Sequence, residues 1–284
     1  MDYADDKVLL FNDFPSAQAT LDRLTESIKP FGMQFEPSKC EVLLQDCDQT
    51  ENLVISNTNL DTVDRFVYLG SCASDDGRIS KEVEKRIAKA RATFSSLRHL
   101  WRQKGISLAL KVRVYKVTVR AVLLYGCETW PVRVEDLRRI EIFDHRCLRT
   151  LASIRWSSEV SNMNVRKQCF GETMRSSIAY VIASTQFRWL GHVLRMDRSR
   201  LPHKALHALP GVEWCRQPGG QVLTWQKVVK SKARQLGGVN RARLPGWGPR
   251  DTPLLWLYTL QDMAANRNQW RVCCSLVAES AVRH

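Results

Sequence analysis

The sequence lacks the features that would place the chain in a membrane or in the secretory pathway. No segment approaches the roughly 18–20 consecutive apolar residues that a membrane-spanning helix needs. The first residues include Asp2, Asp5 and Asp6, whereas a signal peptide has basic residues followed by an apolar core. These absences predict an intracellular protein, nuclear or cytoplasmic, with no membrane partner.

The cysteines lack the spacing of a disulfide framework. There are nine of them, an odd number, scattered between Cys40 and Cys274, and no Cys-x-x-Cys pair occurs. Free thiols in a reducing compartment are therefore expected.

Acidic residues are few, because 29 Asp and Glu stand against 43 Lys and Arg, a net charge of +14. The imbalance is uneven along the chain: residues 1–80 carry a net charge of −9 and residues 81–284 carry +23. A basic segment of this size indicates a polyanionic partner, either nucleic acid or an anionic membrane surface. A solvated basic surface without a partner is the plainer alternative.

The first 76 residues have the pattern of a mixed α and β segment. An apolar run at residues 8–11 is typical of a buried strand, and apolar residues at helical spacing over 17–28 predict one helix that Pro30 ends. Further strands are predicted over residues 33–35, 41–44, 53–56 and 63–68.

From residue 77 onward the pattern is helical and basic. Amphipathic helices are predicted over residues 83–101, 107–125 and 135–147, with Lys and Arg away from the apolar stripe. Beyond residue 150, helices are predicted over 176–195 and 254–265 among many loops. The predicted fold class is an α+β segment followed by a mainly α-helical region, in three domains: 1–76, 77–150 and 151–284.

Tyr3-Ala4-Asp5-Asp6, followed by Val8-Leu9-Leu10, is the motif with the clearest chemistry. Two adjacent carboxylates at a turn between strands suit Mg²⁺, a hard cation that prefers oxygen ligands. A pair of such ions stabilises the attacking and leaving oxygens of phosphoryl transfer. An isolated Asp-Asp dipeptide is, by contrast, usually an ordinary acidic turn.

The motif resembles the active-site hairpin of reverse transcriptases, and further segments follow in the order that these enzymes have. FGMQFEPSKC (31–40) resembles the next palm motif, and FVYLGS (66–71) resembles the primer-grip hairpin. Segments through to residue 251 resemble the carboxy-terminal half of the endonuclease–reverse transcriptase of non-LTR (LINE-type, RTE-like) retrotransposons. They are RIAKAR (86–91), LLYGCETW (123–130), FDHRCLR (143–149), WLGHVLRM (189–196), GGQ (219–221) with TW (224–225), and LPGWGPRD (244–251).

The resemblance implies a palm remnant over 1–76, a thumb over 77–150 and a retrotransposon-specific region over 151–284. It implies nucleotidyl transfer in which Asp5 and Asp6 bind Mg²⁺ and Lys39 is the candidate general acid. The implied partners are an RNA template and a DNA primer. The residues that would contact them are Tyr3, Tyr68, Leu69 and Gly70 in the palm, and Lys85, Lys89, Arg91, Lys111, Arg113, Lys116 and Arg120 in the thumb.

In this family the fingers and a third metal-binding carboxylate precede the YADD hairpin, and neither is found before Tyr3 in this sequence. We therefore expect the chain alone to be truncated, to bind Mg²⁺ weakly or not at all, and to be inactive. Two alternatives stay open: a nucleic-acid-binding protein without enzymatic activity, and a decayed retrotransposon relic. The pattern does not indicate an oligomeric state.

Three weaker patterns favour structural roles. His203 and His207 are four residues apart, with Cys215 eight residues later, which is part of a zinc pattern; loop or core residues are the favoured interpretation. Gly219-Gly220-Gln221 is favoured as a turn. Most tryptophans are expected in the core, although four could stack on bases: Trp101, Trp189, Trp214 and Trp247.

Overall fold

The structure is a computed structural model that describes residues 2–3, 6–45, 51–155, 157–172, 174–209, 223–239 and 242–282. The chain divides into two compact units, Met1–Glu82 and Val83–His284, called here the head unit and the body unit. The predicted boundary at residues 76–77 lies close to this division. Residues on both sides of the predicted boundary at 150 pack within the body unit.

The head unit contains one α-helix and short strands that pair two by two among the described residues. Its elements are β1 (Asp2–Tyr3), β2 (Asp6–Lys7), α1 (Phe14–Ile28), β3 (Glu41–Val42), β4 (Val54–Ile55), β5 (Thr58–Asn59), β6 (Asp61–Thr62), β7 (Arg65–Tyr68) and β8 (Ser71–Ser74). β1–β2, β4–β5 and β7–β8 are antiparallel, and β3–β6 is parallel.

The predicted helix of the head unit is confirmed as α1. The Asp13 carboxylate caps it by accepting the Ser16 N–H at 2.8 Å, and the helix ends two residues before Pro30. Gln18 fixes α1 on β4, because its side-chain amide donates to the Val54 carbonyl and accepts the Val54 N–H, each at 2.9 Å.

Two of the predicted strands in the head unit are wrong. Residues 8–11 and 33–35 form no strand, and Leu10 and Phe31 are 75% and 77% exposed. An apolar run becomes a buried strand only where other strands satisfy its backbone and a second layer covers its side chains. The strands predicted near residues 41, 54 and 65 are confirmed in shorter form, with two, two and four residues.

The β7–β8 hairpin carries the segment that resembles a primer grip. Tyr68 pairs with Ser71 across the two-residue turn Leu69-Gly70, and both turn residues have positive φ, 47° and 82°. Positive φ at both central positions is typical of the type I′ turn, whose twist matches that of the strands. The primer-grip assignment itself stays a prediction.

The body unit is helical, with one short hairpin. After α2 (Ser80–Ser96), which starts in the head unit, come α3 (Arg98–Arg102), α4 (Leu108–Val117), α5 (Val119–Leu123), α6 (Val134–Leu151), α7 (Asn162–Phe170), α8 (Ile178–Leu194), α9 (Leu201–His207), α10 (Trp225–Lys232), β9 (Gly238–Val239), β10 (Ala242–Arg243), α11 (Leu255–Ala265) and α12 (Arg267–Ser280). In the described part of the chain, no helix combines the length and the apolar content that a membrane crossing needs. The assignment of palm and thumb stays a prediction.

The helices predicted over 83–101 and 107–125 are each observed as two helices. The first breaks at Leu97, where Trp101 folds back, stacks on Phe94 at 5.3 Å and donates its indole N–H to the Phe94 carbonyl. The second breaks at Thr118, whose hydroxyl donates to the Val114 carbonyl at 2.7 Å and competes with the helical hydrogen bonds. The helices predicted near 135, 176 and 254 are confirmed as α6, α8 and α11.

α8 is the central element of the body unit and packs against α6, α9, α10, α11 and α12. Gly191 lets Trp270 of α12 approach the α8 backbone, because a Cβ at this position would overlap the indole ring. The Trp270 indole N–H then donates to the Phe187 carbonyl at 2.9 Å. The glycine of the segment WLGHVLRM therefore serves helix packing.

Candidate nucleic-acid interface

A groove in the body unit is lined by several cations and, among the residues that the structure describes, by no carboxylate. Its exposed cations are Arg98, Arg102 and Lys104. It is lined by Phe94, Ser95, Arg98, Trp101, Arg102, Gln103, Lys104, Ile106, Leu108, Lys111, Thr150, Leu151, Ala152, Ser153 and Gln168. None of these lining residues is Asp or Glu. A concave surface with charge of one sign attracts a polyanion more strongly than scattered charges do.

Lys111 forms part of the groove floor and corrects a prediction. We predicted an exposed side chain that contacts nucleic acid, but Lys111 is only 7% exposed. Its ammonium donates to the Trp101 carbonyl at 2.9 Å, at the end of α3. Among the described residues no carboxylate pairs with this ammonium, so its charge adds to the positive field of the groove.

The groove is also lined by Leu108 and Lys111 in the first turn of α4 and by residues 150–153 at the end of α6. The N–H groups at the start of a helix give a partial positive charge, which adds to the charge of the three exposed cations.

Five of the seven predicted thumb cations reach solvent. Lys85 is half-buried, and the other four are exposed. The Lys116 ammonium also lies 4.7 Å from the centre of the Phe170 ring, a cation–π contact that leaves it accessible. A role in nucleic-acid binding stays a prediction for all five: Lys85, Lys89, Arg91, Arg113 and Lys116.

Arg120 was predicted on the nucleic-acid surface, and this exposure is wrong, because the side chain is 7% exposed. Its Nε lies 3.5 Å from Oδ1 of Asp144, which is fully buried. Arg166 binds the other carboxylate oxygen at 3.2 Å, and Tyr115 donates its hydroxyl to Oδ1 at 2.8 Å. Both guanidinium groups also donate to the Ser176 carbonyl. Arg120 therefore forms a buried ion pair and does not reach the surface.

His145 extends the same buried cluster. Its Nε2 lies 2.9 Å from Nη2 of Arg166, and because a guanidinium only donates, Nε2 must accept and the imidazole must be neutral. Burial, together with the charge of Arg166, lowers the pKa of His145. Burial and the nearby Asp144 hold the pKa of Tyr115 well above its usual value. The FDHRCLR segment therefore organises the interior of the body unit.

The predicted catalytic residues are only partly described. Asp5 lies outside the described residues, and the backbone of Asp6 pairs with Tyr3 in the β1–β2 hairpin, while the side chains of both paired residues lie outside the description. Lys39 is exposed in a short 3₁₀ turn, Pro37–Lys39. Across the described ranges, no group of three or more His, Cys, Asp or Glu is placed to hold a metal ion. The catalytic roles stay predictions.

The predicted primer contacts Tyr68, Leu69 and Gly70 lie at the β7–β8 turn. Tyr68 and Gly70 are half-buried, and Leu69 is 43% exposed. Their contact with a primer stays a prediction.

The LPGWGPRD loop (residues 244–251) is held together by one carboxylate. Asp251 Oδ2 accepts the N–H groups of Gly246 and Gly248 at 2.7 and 2.6 Å, and these bonds lower the pKa of Asp251. Gly246 has a φ of 105°, and a Cβ at this position would overlap the backbone of Trp256. This geometry gives the segment a structural role.

Three of the four tryptophans proposed for base stacking pack against the protein core. Trp101 is 4% exposed, and Trp189 and Trp247 pack half-buried against the core around α8. Trp214 and the GGQ segment lie outside the described residues. Since the groove residues that the structure describes include no exposed tryptophan, the chemistry of this lining suits phosphates better than bases.

No family model matches this sequence, and no solved structure matches it. The chain is 22% identical over 234 residues to F52C9.6, an uncharacterized transposon-derived protein of Caenorhabditis elegans. The aligned region spans 81% of this chain and 83% of that protein. The similarity supports an origin in a transposable element.

Proposed function

We propose that the chain derives from the reverse transcriptase region of a non-LTR retrotransposon and that its body unit binds the phosphate backbone of nucleic acid. The observation that carries the binding proposal is the groove lined by Arg98, Arg102 and Lys104, with no carboxylate among its described lining residues. The transposon-derived relative supports the origin, and the ordered motifs from YADD to LPGWGPRD support the polymerase assignment.

The groove favours phosphate over bases for two reasons. Its three exposed cations have no carboxylate partner among the described residues, so a ligand does not have to displace an internal ion pair. The two aromatic residues among its described lining residues, Phe94 and Trp101, are already stacked on each other, and Trp101 donates its indole N–H to the Phe94 carbonyl. Binding should therefore depend little on base sequence and strongly on salt.

The test is a binding titration with a fluorescent RNA–DNA primer–template. The groove variant Arg98→Gln/Arg102→Gln/Lys104→Gln is compared with a matched variant that removes the same charge elsewhere on the body unit. The matched variant is Lys227→Gln/Arg234→Gln/Arg271→Gln, three exposed positions outside the groove. We expect the groove variant to bind at least about tenfold more weakly than the matched variant. Equal losses would assign binding to net charge alone.

The catalytic half of the proposal concerns the head unit. As part of a reverse transcriptase, Asp5 and Asp6 would offer the carboxylate oxygens that Mg²⁺ prefers, and the metal would supply charge stabilisation for nucleotidyl transfer. Lys39 would act as a proton donor and the β7–β8 turn as a primer contact.

Primer extension on an RNA template, with Mg²⁺ and deoxynucleotides, tests this half. Extension that disappears in Asp5→Asn/Asp6→Asn would assign the carboxylates to catalysis. Extension that survives in that variant would contradict the assignment. Binding without extension would favour a nucleic-acid-binding protein without enzymatic activity, and the absence of both would favour a relic.

A further inference from the structure

α9 places two histidines side by side. His203 and His207 lie one helical turn apart, and their rings stack with centroids 4.2 Å apart and an angle of 15° between the planes. His203 is 6% exposed, and His207 is half-buried beside the Tyr258 ring of α11. The pair therefore lies at the side of α9 that faces α11, outside the groove that the proposed function uses.

Both rings leave their Nε2 atoms without a hydrogen bond. These two atoms are buried, yet within the described part of the chain no polar group bonds to either of them. Buried polar atoms are nearly always paired in proteins. Two unpaired nitrogen atoms on adjacent rings thus point to a ligand that would satisfy both together.

Nδ1 of His207 lies 3.0 Å from the His203 carbonyl, and because a carbonyl only accepts, Nδ1 is the donor of this hydrogen bond. In the neutral ring the lone pair is then on Nε2, the atom without a partner. Metal-binding histidines usually donate their second nitrogen to a carbonyl or carboxylate in this way.

We propose that His203 and His207 form a binding site for a divalent transition-metal ion, which their two Nε2 atoms would coordinate. Zinc–nitrogen bonds of about 2.0–2.1 Å at a tetrahedral angle bring two nitrogen atoms to about 3.3 Å from each other. The two ring planes are nearly parallel, with 15° between them and centroids 4.2 Å apart. Because the lone pair of Nε2 lies in the ring plane, at least one ring must turn about its χ2 angle for both atoms to coordinate one ion. The remaining positions would take water or another exchangeable ligand.

Imidazole nitrogen selects the kind of ion. Zn²⁺, Ni²⁺ and Cu²⁺ bind imidazole well, whereas Mg²⁺ prefers oxygen. The site is thus chemically distinct from the Asp5–Asp6 pair, and its test does not depend on polymerase or nucleic-acid binding. The charges that act on His203 are mixed, with Asp197 favouring a cation and Arg198 opposing it, so the two nitrogen atoms must supply most of the affinity.

The full chain, stripped of metals with a chelator, is titrated with Zn²⁺ against a chromophoric competitor. We expect tight binding of one equivalent that weakens at least about tenfold in His203→Gln and in His207→Gln, because even indirect partners of a metal ligand change affinity by this much. His99→Gln, at an exposed histidine of α3, should bind like the unmodified chain. Unchanged affinity in both site variants would assign the ion to thiols and overturn the proposal.

A measurement on the unmodified chain covers the case in which a variant fails to fold. One equivalent of Cu²⁺ is added, and nitrogen coupling is read from the electron paramagnetic resonance spectrum. Coupling to two imidazole nitrogen atoms supports the site. A spectrum with only oxygen or sulfur ligands, or with a single nitrogen, would overturn it.

Discussion

The head unit and the body unit differ in how many of their hydrophobic residues are buried. In the described part of the head unit, the buried hydrophobic residues are Ala17, Ile55 and Leu60, and its strands are two to four residues long. The body unit buries whole helices around α8 and encloses charged groups such as Asp144 and Arg166. The head unit therefore depends on a few specific contacts, whereas the body unit depends on extensive packing.

This difference changes how a motif should be interpreted. Motif residues of the body unit, among them Asp144, Gly191 and Asp251, have packing or hydrogen-bonding roles that the structure makes explicit. Motif residues of the head unit, such as Lys39 and Leu69, lie on short elements and are exposed. Their roles, if catalytic, would be exerted on a ligand and not on the fold.

The largest expected effect is the loss of the buried carboxylate. Asp144→Asn would leave the guanidinium groups of Arg120 and Arg166 buried without a countercharge. We expect the free energy of unfolding of the body unit to fall by about 3–5 kcal/mol, measured by denaturant titration with circular dichroism. The control is Asp64→Asn in the head unit, where the partner Lys81 and the carboxylate are solvent-accessible, and no measurable change is expected there. A similar loss of stability in both variants would contradict the claim that only the body unit depends on a buried carboxylate.

The next largest effect is a pH dependence of stability that comes from Lys232. Its ammonium donates to Gln186 at 2.7 Å inside the body unit, and burial lowers the pKa of Lys232 from 10.5 to about 8. Between these values the unfolded chain binds more protons than the folded chain, so stability from this group rises with pH. Between pH 8 and 10.5, the free energy of unfolding of the unmodified chain should rise by about 3 kcal/mol relative to that of Lys232→Met. A stability difference that does not vary with pH would show that this amine is solvated.

Helix packing should yield a smaller effect. Gly191→Ala would force the Cβ against the Trp270 indole, and we expect a loss of about 1–3 kcal/mol in thermal unfolding. Gly105→Ala is the matched control, because a Cβ at that position meets nothing within 4 Å. Equal melting temperatures for the two variants would contradict the close approach of α8 and α12.

The smallest effect is expected in the head unit. Gln18→Ala removes both hydrogen bonds to Val54, and a loss of about 1–2 kcal/mol is expected. Hydrogen exchange should show lower protection in α1 and β4 and unchanged protection in α8. Lower protection throughout the body unit would mean that the two units do not unfold independently.

Much of the helical pattern could be predicted from the sequence. α6, α8 and α11 carry long apolar stripes, and their periodicity located them. α7 and α10 are short and lie among loop-like residues, and α12 follows Asn266, whose side chain caps it by accepting the Asn268 and Gln269 N–H groups. A cap of this kind is a local signal that apolar periodicity does not contain, so none of these three helices is among those predicted.

The candidate site was predicted only in outline. The charge distribution predicts basic helices after residue 77, but periodicity could not show that Lys111 and Arg120 turn inward to a carbonyl and a carboxylate. Nor could it show that Lys104, in the loop after α3, joins Arg98 and Arg102 in one groove. Both outcomes depend on contacts between residues distant in sequence or on a change of chain direction.

The most direct test of the binding account is the salt dependence of primer–template affinity. Each phosphate contact contributes about 0.9 to the slope of log affinity against log salt concentration for a duplex. We predict that Arg98→Gln/Arg102→Gln/Lys104→Gln lowers this slope by between two and three relative to the unmodified chain, roughly one for each cation. An unchanged slope in that variant would contradict the claim that the groove is where the body unit meets nucleic acid.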